Sequence, residues 1–332
     1  MIVSTPPKHA KLSDAQVVTL QAVFGDRMQR HTSLARYTSA RVGGPADVLL
    51  QVDSLDELVS AASHLWAWEM PFFVLGGGSN LLISDRGVRG VVVLNRARQV
   101  HFNERVDPPT VWAESGAGLG LIARQAALRG LGGLEWAAGI PGTIGGAVVG
   151  NAGAHGGDVA GNLQLAEILH LSESQAEPER EHWPVEKLEY AYRSSSLKRN
   201  PGKSVVLSAL LHLEHSTPES VQSKLDQFAV RRRRTQPPGA SMGSMFKNPP
   251  GDYAGRLIEA AGLKGTQIGG AQISNRHANF FINLGSATAS DVYALIQRAR
   301  QKVAERFGVQ LELEIELLGD WNTNSHLVRE FD

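Results

Sequence analysis

Cysteine is absent from all 332 residues, which removes disulfides, thiolate metal sites and cysteine nucleophiles together. Net charge is absent too. Thirty-three basic residues balance thirty-three acidic ones, so no global field draws the chain toward nucleic acid or an acidic membrane. No apolar run nears the ~20 residues that cross a bilayer, and the opening MIVSTPPKHAKLSD lacks a signal-peptide core. The expectation is a cytoplasmic monomer whose partners are small molecules, with no nucleic acid and no membrane. Its length exceeds one ordinary core, so two or three domains are expected.

Glycine is plentiful, at 35 residues, and clusters at 43–44, 76–78, 116–161 and 239–270. Between the clusters the pattern alternates. SDAQVVTLQAVFG reads as a capped helix closed by Gly25, DVLLQV as a strand, and SLDELVSAASHLWAWE as a helix opened by a Ser54–Glu57 capping box. PFFVLG completes a β-α-β unit, and GVVVLN and TVWAESGAG are further strands. GLIARQAALRG is helical, LAEILHLS and SVVLSALLHLEH are strands, and PESVQSKLDQFAVRRRR is a helix stopped by Pro237–Pro238. Last come helices at GDYAGRLIEAAG and SDVYALIQRARQKVAERFG, short strands at AQIS and ANFFINL, and the strand QLELEIELL. The class is α+β, in three parts.

Two glycine turns stand beside strands without any lysine: GGGSN at 76–80 and PGTIGGAVVGNAG at 141–153. Neither is a P-loop, because Asn151 and Ala152 occupy the Lys and Ser/Thr positions after Gly145–Gly150. Neither is a dinucleotide fingerprint; GAGLGL has Leu121 in place of its third glycine. Backbone amides freed by glycine can nest an anion without a cationic side chain. Two such turns point to a diphosphate cofactor held by amides; tight packing is the competing reading.

VLGGGSNLL, GIPGTIGGAVVGNAGAHGGDV, YAYRSSSLK, GSMFKNPPGDYAGRLIEAAGLKG and SNRHANFFIN, in this order between Thr38 and Leu317, resemble the UDP-N-acetylenolpyruvoylglucosamine reductase family. The resemblance implies a vanillyl-alcohol-oxidase-type FAD region at about 40–213, divided into 1–95 and 96–216. A substrate domain at 217–320 and a tail at 321–332 follow. It implies noncovalent FAD, NADPH as hydride source, and UDP-N-acetylglucosamine-enolpyruvate as substrate, reduced for peptidoglycan synthesis. FAD contacts are implied at Gly76, Gly77, Gly78, Ser79, Asn80, Leu81, Pro141, Gly142, Gly145 and Asn151. His155 is the nearest tempting covalent attachment point and reads instead as loop packing.

The same resemblance assigns Arg193 to the substrate carboxylate, Ser244 to protonation of the enolate carbon, and Glu314 to the enolate end. A planar guanidinium suits a carboxylate on which charge builds. Glu314 sits in LELEIELL, whose alternation places Leu311, Leu313, Ile315 and Leu317 on one strand face and Glu312, Glu314 and Glu316 on the other. A carboxylate there repels the substrate unless it is protonated or offset by Arg193. The resemblance further implies that one arginine of the run 231–234, with Arg231 and Arg234 the candidates, contacts the UDP diphosphate together with Lys247 and Asn248; in the run RRRR only the outer two share a helix face. The family's tyrosine-bearing loop has no room between Arg193 and Ser244, so this is a shorter subtype. Two rivals remain. GASMG matches a serine nucleophile elbow, with Asp252 and His277 downstream; the other is a nucleotide-sugar-binding module without chemistry. The histidines offer no metal spacing, since His212 and His215 fall on opposite strand faces.

Overall fold

A computed structural model describes residues 2–3, 11–171 and 177–321; apart from Trp321, the expected tail lies outside the described residues. The first unit contains β1 (Ile2–Val3), α1 (Asp14–Phe24), β2 (Met28–Ser33), β3 (Pro45–Val52), α2 (Leu55–Ala67), β4 (Phe72–Leu75), β5 (Leu81–Ile83) and β6 (Val88–Asn95). Its sheet has the order β1-β4-β6-β3-β2. β3 and β4 both run parallel to β6, so the β-α-β unit straddles a central strand. Alternate residues feed two cores: Val48, Leu50, Val91 and Val93 on one face, Leu49, Val92 and Leu94 on the other. The capping box of α2 is half formed. Ser54 Oγ accepts from Glu57 N, but the Glu57 carboxylate accepts from Asp53 N.

The second unit holds β7 (Val100–Asn103), β8 (Thr110–Glu114), α3 (Leu119–Leu128), β9 (Leu131–Gly132), α4 (Ile144–Gly150), β10 (Gly153–Ala154), β11 (Gly157–Asp158) and α5 (Val159–Asn162). It continues through β12 (Leu163–His170), β13 (Glu179–Pro184), α6 (Ser196–Arg199), β14 (Ser204–His212) and β15 (Glu214–His215). The antiparallel sheet β13-β12-β14-β8-β7 shares one core with the first sheet, where Val111, Ile168, Val205 and Leu207 join Val48 and Val91. Helix α4 lies inside the glycine tract. Ile144, Ala147, Val148 and Val149 bury it, and left-handed Asn151, at φ 43°, ends it.

Helix α7 (Pro218–Thr235) packs on the second unit, Val221 and Leu225 lying against Ala127 and Ala138. The third unit has α8 (Ala254–Ala260), β16 (Gln267–Ile268), β17 (Ala271–Ile273), β18 (Phe281–Asn283), α9 (Ala289–Phe307) and β19 (Glu316–Leu318). Two of the contacts that join it to the first unit are a helix cap and a strand pair. Asp85 caps α9, its carboxylate accepting from Ala289 N and Ser290 N at 2.8 Å each. β19 then pairs in parallel with β5, directly after the GGGSN turn. That pairing overturns one expectation. LELEIELL is not a single alternating strand: only Glu316–Leu318 is strand, Leu313 makes an isolated bridge to Phe246, and a bend covers Glu314–Ile315. The register slips there, so Leu318 is buried while Leu317 turns outward. The segment has two partners, Met245–Lys247 and then β5, and the bend lets it pass from one to the other.

Candidate active site

The two glycine turns abut. A Cβ on Gly77 would sit 3.0 Å from Gly142 Cα, one on Gly76 2.4 Å from Thr143 Oγ1, and one on Gly142 2.9 Å from Ser79 Oγ. Ser79 Oγ also donates to Pro141 O at 3.1 Å. Among the described residues, the amides of Gly77, Gly78, Ser79, Asn80, Gly142 and Thr143 donate to no protein acceptor. Orphan amides in paired, side-chain-free turns are the chemistry an anion needs, so these residues fit a diphosphate. Other expected contacts are engaged within the protein. Gly145 N donates to Ser115 O, and the Leu81 side chain is fully buried. Asn151 spends its amide on Ala160 N and Ala191 O.

Asn151 leads to the Arg193 turn. The far end of α4 holds that turn through two carbonyls and the Asn151 side-chain amide. Tyr190 Oη donates to Val148 O at 2.9 Å, Ser195 Oγ to Val149 O at 2.6 Å, and Asn151 Nδ2 to Ala191 O at 3.3 Å. Burial, with Asp158 nearby, pushes the Tyr190 phenol far up, so it stays a donor. Arg193 itself has φ 56°, a left-handed backbone rare outside glycine. The neighbouring bonds hold that conformation. Tyr190 and Ser195 had no assigned role in the sequence, although both lie in the motif around Arg193.

Ser244 and Glu314 lie on adjacent segments. Phe246 bridges Leu313, Glu314 N donates to Met245 O, and Lys247 N donates to Glu312 O. On the other side Ser244 bridges Phe280, and buried Asn279 clamps the segment: Phe246 N donates to its Oδ1 and its Nδ2 to Phe246 O. Asn279 was also unassigned, inside SNRHANFFIN. The Ser244 hydroxyl has no protein partner among the described residues. Arg193 Nε donates to Glu314 Oε1 at 2.8 Å, and Asn80 Nδ2 to Glu314 O at 3.1 Å. Arg193, Glu314, Asn80 and the Ser244 segment therefore meet, from four places in the chain. Burial raises the Glu314 pKa, opposed first by Arg193 and then by Lys198 and Lys247. The three glutamates do not form one solvated face. Glu312 meets Lys247, Glu314 meets Arg193 and Glu316 meets Lys198.

Arg231 and Arg234 do share a face, as expected, and it is an outer one, beside Glu219, Gln222 and Asp226. The arginine that turns toward the glycine tract is Arg232, its Nε 3.4 Å from where a Gly139 Cβ would lie. Roughly 100° of rotation per residue separates their directions. Lys247 is partly buried in its pair with Glu312, and Asn248 Oδ1 accepts from Ala254 N at the start of α8. His155 stacks on Phe228, centroids 4.2 Å apart, which makes it a packing residue between loop and helix.

The serine-elbow rival has no geometric support. No helix follows Ser241, Asp252 pairs with Arg256, and His277 Nδ1 accepts from Asn279 N. Among the described residues one group with metal-ligand potential does gather, His170, Glu179 and Glu181, through cross-strand pairing that sequence spacing does not display. Glu181 already accepts there from Lys187 Nζ and Trp183 Nε1.

Comparison with known proteins agrees with this layout. A model of an FAD binding domain matches residues 46–169, and one of the UDP-N-acetylenolpyruvoylglucosamine reductase C-terminal domain matches 235–318. The UDP-N-acetylenolpyruvoylglucosamine reductase of Chloroflexus aggregans is 45% identical over 289 residues, covering 86% of this chain and 95% of its own. Reductase 2 of Symbiobacterium thermophilum is 44% identical, covering 90% and 96%. The crystal structure of the Thermus caldophilus UDP-N-acetylenolpyruvylglucosamine reductase superposes with a TM-score of 0.73 at 36% identity, over 88% of this chain and 99% of that one.

Proposed function

The chain belongs to the UDP-N-acetylenolpyruvoylglucosamine reductase family, and from that premise we propose that it is the NADPH-dependent flavoenzyme reducing UDP-N-acetylglucosamine-enolpyruvate to UDP-N-acetylmuramate. Residues 1–95 and 96–216 form the two halves of its FAD region, and 217–320 its substrate part. The observation that carries the reading is the Arg193–Glu314 pair, tied by Asn80 to the GGGSN turn and flanked by the Ser244 segment.

FAD, when bound, supplies hydride from NADPH to the terminal carbon of the enolpyruvyl group. Amides of Gly76–Asn80 and Gly142–Thr143 hold its diphosphate noncovalently. Arg193 orients the substrate carboxylate with its two Nη groups and steadies it as negative charge grows, an effect worth roughly 3–4 kcal/mol in such sites. Glu314 keeps the guanidinium in plane through Nε. Ser244 Oγ gives its proton to the adjacent carbon, which as an enolate carbon is a strong base. Lys247 and Asn248 face the UDP diphosphate, with one arginine of the run 231–234 reaching it; Arg232 is the one turned toward the glycine tract. With no long loop between α6 and Ser244, this is the shorter subtype.

The test is spectroscopic. Purified protein should be yellow, bleach on anaerobic NADPH addition, and recover its colour when the enolpyruvyl substrate follows. A colourless protein that takes up no FAD would overturn the reading.

A further inference from the structure

The anion site is electrically balanced before any substrate arrives. Three cations, Arg193, Lys198 and Lys247, face three carboxylates, Glu314, Glu316 and Glu312, each in its own pair at 2.8, 3.3 and 3.3 Å. The charged groups that act on Glu314 are Arg193 from its turn, Lys198 from α6 and Lys247 from the Ser244 segment; the other two glutamates flank it along its own segment. Asn80, from the flavin turn, touches it only at the backbone. An incoming carboxylate therefore finds no unmatched cation.

We propose that capture of the substrate carboxylate at Arg193 takes one proton from solution and leaves it on Glu314. The inference rests on the substrate reading above. Arg193 gives Glu314 only its Nε, so both Nη groups remain for a second carboxylate, and the two acids then share one guanidinium. Two carboxylates on one cation in a partly desolvated site do not both stay ionised. Glu312 is 76% exposed and stays hydrated. Glu316 keeps Lys198 to itself. Glu314, 16% exposed, is already disfavoured as an anion by its burial, so the proton settles there. The balance is simple: a carboxylate and a proton become a carboxylic acid, and the site remains neutral with the substrate carboxylate inside. Glu314 then changes from acceptor to donor, aimed at the carboxylate on which charge will build.

Calorimetric titration of oxidised, FAD-loaded enzyme with UDP-N-acetylglucosamine-enolpyruvate, without NADPH, measures this directly. The titration is run in phosphate and in Tris between about pH 6 and 9. Uptake should approach about one proton per substrate, with Kd rising up to about tenfold per pH unit in the same window. UDP-N-acetylglucosamine, which lacks the carboxylate, should bind without uptake in the same wild-type enzyme. E314Q with normal flavin absorbance should bind the enolpyruvyl substrate with no uptake and a flat Kd. Binding without uptake in the wild type, or equal uptake in E314Q, overturns the inference and leaves the proposed function standing. Failure of both nucleotide sugars to bind overturns the proposed function and the inference with it.

Discussion

Arg193 and Glu314 stand 121 positions apart in sequence and meet at 2.8 Å, each delivered by a different unit and neither free to move alone. Glu314 is fixed through its backbone by Asn80 and Met245, Arg193 by a turn hung on α4. Replacing Arg193 with Ala should lower kcat by on the order of 10²–10³-fold, with FAD content unchanged. E314Q should keep both FAD and substrate binding yet lose most turnover. Anaerobic single-turnover reoxidation of the reduced flavin by substrate measures both; near-normal rates in either variant would remove the pair from the chemistry.

Ser244 and Ser241 make a paired test. S244A removes the only proton-bearing group assigned to the carbon and should slow reoxidation by on the order of 10²–10⁴-fold. S241A alters the false elbow and should leave turnover within about twofold. The reverse result would return the hydrolase reading.

Gly142 has φ 127°, and a Cβ there would meet Ser79 Oγ at 2.9 Å. G142A must therefore shift the second glycine turn against the first, and moving amides by a fraction of an ångström weakens a nest built only of amides. FAD affinity should fall at least about tenfold, while the far-ultraviolet circular dichroism spectrum stays the same. Titration of the apoprotein with FAD, followed by flavin fluorescence, reads the loss.

Ser195 is fully buried, and its hydroxyl both donates to Val149 O and accepts from Lys198 N. S195A leaves the buried Val149 carbonyl and the partly buried Lys198 N–H without this partner, at about 1–3 kcal/mol. It should lower the melting temperature and raise the KM for the enolpyruvyl substrate, because the Arg193 turn loses its anchor. FAD affinity should not change. A variant with the lower melting temperature but unaltered KM would show that Ser195 stabilises the fold without positioning Arg193.

What the sequence made legible is local. Helix α1 shows its start through Ser13, and β3, β4 and β6 show themselves as apolar runs; the Thr217 and Thr288 caps of α7 and α9 went unread. The bend at Glu314 was illegible because LELEIELL alternates perfectly; only the competing partners, Met245–Lys247 and β5, break it, and neither is nearby in sequence. Helix α4 was hidden because glycine is a poor helix former, and its burial against the shared core outweighs that preference. The outward face of Arg231 and Arg234 depends on how α7 is rotated onto the body, which the run RRRR does not reveal. Arg193, Ser244 and Glu314 were nameable one by one, yet their meeting depends on long-range pairing.

His155 gives a pH signature separate from catalysis. Its ring lies flat against Phe228, with an interplanar angle of 7°. Burial, then Arg231 and Arg232, hold its pKa below the ordinary value of 6.5. A folded-state pKa below that of the unfolded chain means that the unfolded chain takes up the proton first as pH falls. The stability contribution of neutral His155 is thus intact above pH 6.5 and erodes below it, as pH descends toward the folded-state value. H155F keeps the stack and removes the titration. Its melting temperature should match the wild type near pH 8 and exceed it below about pH 6, where the unfolded wild type takes up a proton that the folded ring does not. Parallel melting curves for the two proteins across that range would mean that neither burial nor Arg231 and Arg232 lowers this ring's pKa in the folded protein.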